Sequence, residues 1–83
     1  SNQSIKHPVV VSIKTNPDVF AVNQNIVPQE QLESEILKAM ETQTDKSVLI
    51  KADQEVPARI IVDVLDIGSK NQLKMGISTD KKK

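Results

Sequence analysis

Three acidic positions carry most of the chemistry that this 83-residue chain could offer: Asp53, after the apolar run Val48–Ala52, and the pair Asp63 and Asp66. Residues three apart share a surface on a helix, so Asp63 and Asp66 are placed where two carboxylates could handle a proton. The expected state of both is a solvated helix face. Asp53 falls just past a strand end, where α/β proteins often place functional loops. Its side chain suits first a turn or cap that accepts hydrogen bonds from nearby backbone N–H groups, and it is also a candidate contact for a partner. His7 has no companion His or Cys at metal-ligand spacing and sits in a polar leader beside Pro8. The serines lie in no Gly-x-Ser-x-Gly elbow, and the two glycines, Gly68 and Gly76, form neither a phosphate loop nor the Gly-x-x-Gly clamp of a KH module. No catalytic residue, metal ligand or cofactor is therefore expected.

Composition narrows the partners. Formal charge is zero, but without Lys81, Lys82 and Lys83 the chain holds eight basic against eleven acidic residues, which argues against nucleic acid. The three terminal lysines read as a solubilising tail, since three charges give little affinity for an anionic surface. Phe20 is the one aromatic residue, so a contact surface must be built from aliphatics or from backbone. There is no cysteine and hence no disulfide framework. No run of 18 apolar residues is present, and Ser1-Asn2 looks like a remnant of tag removal, so the chain is expected to be a piece of a longer protein.

The elements that must position these residues follow from periodicity. Val9, Val11 and Ile13 alternate in a β-branched strand, Asn16-Pro17-Asp18 is turn chemistry, and Val19 to Asn23 should return antiparallel. From Pro28 to about Thr42, Leu32, Ile36, Leu37 and Met40 recur at helical spacing, with Pro28 in the first turn. Ser47 to Ala52 reads as a central strand. The segment Pro57 to Lys70 is β-branched enough for a strand, yet its length, Pro57 at a first-turn position and the face Ile61, Val64, Leu65 and Gly68 favour a helix. Leu73, Met75 and Ile77 alternate as a last strand at or near a sheet edge, where unpaired N–H and C=O groups are open to another chain. The expected fold is α+β, a two-layer ββαβαβ sandwich with two helices on one face of a small mixed sheet. A single core of this size is marginal, and oligomerisation often supplies the missing burial.

The order of these segments resembles the periplasmic domain of the ExbD/TolR family. The resemblance rests on Val48–Asp53 as strand and acid, Val56-Pro57 as helix start, Val64-Leu65-Asp66, and Lys74-Met75-Gly76-Ile77 as closing strand. It spans residues 9–79, leaving 1–8 as tag remnant and linker and 80–83 as basic tail. The resemblance implies a coupling domain of a proton-motive-force-driven complex in the periplasm of a Gram-negative cell, anchored by a membrane helix that lies outside this chain. It further implies a homodimer, an ExbB/TolQ-type channel met through that helix, and a TonB/TolA-type partner. Asp53, Leu73, Met75 and Ile77 are the candidate partner or dimer contacts. The alternative is a peptidoglycan-binding envelope module; a small hydrolase would need a reactive pocket that the residues do not supply. Two departures stand out: Ala58 occupies a place where many members have an aromatic, and Asn71-Gln72 replaces an Ala-Gly pair in a connection one residue shorter.

Overall fold

In the computed structural model, which describes residues 8–79, one five-stranded sheet carries two helices on a single face. The strands are β1 (Val9–Lys14), β2 (Val19–Val22), β3 (Asn25–Val27), β4 (Ser47–Ala52) and β5 (Lys74–Thr79). The helices are α1 (Leu32–Met40), entered through a 3-10 turn at Gln29–Gln31, and α2 (Ala58–Lys70). Sheet order is β3-β2-β1-β4-β5, antiparallel on the β3-β2-β1 side and parallel from β1 through β4 to β5. The expected α+β two-layer sandwich is present, with one strand more than the sequence suggested.

That extra strand comes from a two-residue hairpin. Asn23 and Gln24 both have positive φ, 53° and 94°, which matches the twist of a tight hairpin and returns the chain as β3 beside β2. Asn23 also lengthens the β1–β2 ladder. Its N–H donates to the Val10 carbonyl at 2.8 Å, and its Oδ1 accepts from the Val10 N–H at 3.0 Å, standing in for a backbone carbonyl. Asn23→Ala is expected to cost about 1–2 kcal/mol, because it removes that acceptor and sets a β-carbon with no local hydrogen bond in left-handed backbone. A thermal melt beside Asn23→Gly, which keeps the backbone conformation, separates the two contributions.

One face of each strand is the core. Val9, Val11 and Ile13 of β1, Phe20 and Val22 of β2, and Val48, Ile50 and Ala52 of β4 are buried beneath Leu32, Ile36 and Met40 of α1 and Ile60 and Val64 of α2. The α1 stripe repeats every four residues, so Leu37 falls at its flank and is exposed, contrary to the sequence expectation. In α2 the stripe runs through Ile60, Val64 and Gly68; Ile61 and Leu65 are only partly buried beside it. Pro28 is extended and precedes the 3-10 turn, so the α-helix opens later than Pro28. His7, the leader 1–7 and the tail 80–83 lie outside the described residues.

Candidate functional site

The β4–α2–β5 unit brings together most of the positions that the sequence singles out. Among the described residues β5 pairs with β4 alone and is an edge of the sheet. Its side chains are unequally free. Leu73, just before the strand, and Met75 pack against the core, whereas Ile77 is 50% exposed. What β5 offers outward is thus one aliphatic side chain and one side of its backbone, the arrangement that strand addition uses.

The α2–β5 connection fixes where this edge lies. After Lys70, Asn71 caps the helix and Gln72 takes the left-handed conformation at φ 59°. The Leu73 N–H then donates to the Gly68 carbonyl at 2.9 Å and the Gln72 N–H to the Ser69 carbonyl at 3.4 Å. This is a Schellman ending with glutamine where glycine fits best. Gln72→Gly is expected to raise stability by about 1 kcal/mol, the usual penalty of an L-residue in left-handed backbone. A higher melting temperature with unchanged near-native spectra checks it.

Gly68 is required for a different reason. It is buried in α2 directly above β5, and a β-carbon there would overlap Met75 at Sδ and Cγ. Helix and edge strand approach this closely only over a glycine.

A polar link ties the same helix end to α1. The Asn71 side-chain amide donates to Glu33 Oε2 at 2.9 Å and to the Ile67 carbonyl at 2.8 Å, and Lys70 Nζ lies 3.5 Å from Glu33 Oε1. The Asn71 hydrogen bond, helped by the Lys70 charge, holds the Glu33 carboxyl below the ordinary glutamate range. A depressed folded-state value means that the contribution is present above the unfolded value and disappears as pH falls through the folded one. The stability gap between wild type and Glu33→Gln is therefore expected to be full at neutral pH and to close below about pH 4, which melts across that range would show. Nothing in one sequence signals this pair, whose members are 38 positions apart.

The acids behave differently from one another. Asp63 and Asp66 are exposed on α2, as expected of a solvated face. Asp53 is exposed past the end of β4, where its N–H donates to the Ile13 carbonyl at 3.2 Å and its carbonyl accepts from the Val56 N–H at 3.1 Å. Its carboxylate makes no hydrogen bond among the described residues, so the expected cap is not formed there. Asp53→Ala, Asp63→Asn and Asp66→Asn should each shift stability by about 0.5 kcal/mol or less in thermal melts. Among the described residues no group of His, Asp and Glu could hold a metal ion, and no helix is long and apolar enough to cross a membrane.

Residues 1–82 match the family model described as biopolymer transport protein ExbD/TolR. The chain belongs to the ExbD/TolR family. No curated protein and no solved structure matches it. Membership of the ExbD/TolR family gives the chain a role in energy coupling for biopolymer transport, in a family of non-enzymatic proteins with periplasmic domains attached to the inner membrane. ExbD/TolR proteins generally work with ExbB/TolQ and TonB/TolA proteins. The α2–β5 connection closes without a glycine by placing Gln72 in left-handed backbone.

Proposed function

We propose that this domain is a periplasmic coupling module of a proton-motive-force-driven envelope complex, acting through a dimer and through a TonB/TolA-type partner, both engaged at the β5 edge. The open edge of β5, in a chain of this family, is the observation that carries the reading. Backbone pairing supplies affinity where the only aromatic residue, Phe20, is buried and no aromatic anchor exists. Two-fold pairing of β5 with its copy would cover the edge and shield Ile77. Because a partner strand needs the same groups, dimer and partner complex are alternative states, and exchange between them is how the module changes its contacts. Contact with an ExbB/TolQ-type channel is assigned to a membrane helix outside this chain. Asp53 sits near this end of the sheet and is a peripheral contact.

Analytical ultracentrifugation at increasing concentration tests the dimer. The wild-type chain should self-associate, and Ile77→Lys, which sets a charge on the edge while leaving the core intact, should remain a monomer. A wild-type chain that stays monomeric at millimolar concentration, or an Ile77→Lys variant that dimerises equally well, would overturn pairing through β5.

A further inference from the structure

The two layers of the domain differ in charge. Among the described residues no strand contains Asp or Glu, and the strand lysines Lys14, Lys51 and Lys74 alternate with the buried positions and so stand on the face away from the helices. The acidic residues of the described chain lie in its turns, loops and helices. Across the open face, Ser12 is opposite Lys51, and Lys51 is opposite Ser78; Lys14 lies two positions on from Ser12, diagonal to Lys51. A depression of about 330 Å³ opens over this row at the strand ends, lined by Ser12, Lys14, Lys51 and Ser78 together with Ile13 and Ala52, with Asp53 on its wall. An adjoining depression of about 590 Å³ shares Ser12 and Lys51 and reaches Asn23 and Gln24.

Among the described residues neither Lys14 nor Lys51 is ion-paired, and the hydroxyls of Ser12 and Ser78 make no hydrogen bond. Lys14 and Lys51 are like charges on neighbouring strands in diagonal positions, so their mutual interaction contributes nothing favourable to the fold. An anion between the two ammonium groups reverses the sign of that interaction and gives both hydroxyls an acceptor.

We propose that the depression is a binding site for a small oxyanion group, carboxylate or phosphate. Lys14 and Lys51 supply the charge, and Ser12 and Ser78 supply neutral donors. Asp53 repels a second negative group, so the ligand's uncharged or cationic part faces that wall. The site lies on the open sheet face, so it stands or falls independently of pairing at the β5 edge.

Amide chemical-shift titrations of the whole 83-residue chain with inorganic phosphate and, separately, with acetate test it at constant ionic strength. Saturable shifts confined to residues 12–14, 51–53 and 78 are expected. Lys14→Gln and Lys51→Gln should each weaken binding about fivefold, the effect of one unit charge at ~4 Å in a solvated setting. Asp53→Asn should tighten it, and Lys74→Gln, at the other end of the same face, should leave it unchanged. The variant spectra report folding directly, and Lys14 at the end of β1 serves if a change at Lys51 disturbs the sheet. Saturation by phosphate alone identifies a phosphoryl ligand, and by acetate alone a carboxylate; saturation by both supports the shared oxyanion chemistry. Saturation by neither, or equal losses for Lys74→Gln and Lys51→Gln, would overturn the site.

Discussion

Replacing Ile50 by alanine is expected to lower the stability of the domain by about 3–4 kcal/mol. Ile50 is 0% exposed and sits in β4, between Val11 of β1 and Ile77 of β5, with both parallel pairings running through it. Removing three carbons loses their transfer free energy and leaves a cavity that the sheet cannot easily close, because strand spacing is fixed by backbone hydrogen bonds. A chain of 83 residues has a total stability of about 4–12 kcal/mol, so this one change consumes a large part of it. Urea denaturation should show a lower midpoint with an unchanged slope. A midpoint within experimental error of wild type would mean that β4 is not the centre of the core.

Gly68→Val should cost about 3 kcal/mol and should act on the edge strand rather than on the helix alone. Valine at this position overlaps Met75 at two atoms in the middle of its side chain, so rotation of the far end does not relieve the contact. Either Met75 is driven from the core or β5 shifts away from α2, and the second outcome moves the edge proposed for partner contact. Adding Met75→Ala removes the obstructing atoms. The double variant should then be less destabilised than the sum of the two single changes, by about 1 kcal/mol or more. Strict additivity in chemical denaturation would show that the two residues do not meet in the folded protein.

How much of this was legible in the sequence depended on how strongly each segment is held to one face of the sheet. β1 and β4 alternate between a fully buried row and an open face, and that burial imposes the period-two pattern from which both strands can be read. In α2 the β-branched run Ile60–Val64 suggested a strand locally, and length and Pro57 outweighed it. β3 left no comparable trace: it is three residues long, its central Ile26 is 77% exposed, and its hairpin uses Asn23-Gln24 without a glycine. The outermost place of β5 was expected from its short apolar alternation. Which of its side chains are free was not readable, because Met75 is retained in the core by the absence of a side chain at Gly68. Leu73, Met75 and Ile77 look equivalent along the chain, and only packing separates Ile77 from the others. The lysines of the open face were equally hidden, since Lys14, Lys51 and Lys74 are far apart in sequence and are brought to one face by the parallel pairing of β1, β4 and β5.

Hydrogen exchange of the β5 backbone, measured with and without the periplasmic segment of a TonB/TolA-type protein, tests the coupling proposal most directly. Amides in residues 74–79 that face away from β4 should become protected by about tenfold or more when the segment binds, while those of the opposite edge strand, Asn25–Val27, stay as they were. Ile77→Lys should abolish that protection in a folded domain. Binding that leaves β5 exchange unchanged, or that protects Asn25–Val27 instead, would contradict a module that works by lending the edge of β5 to another chain.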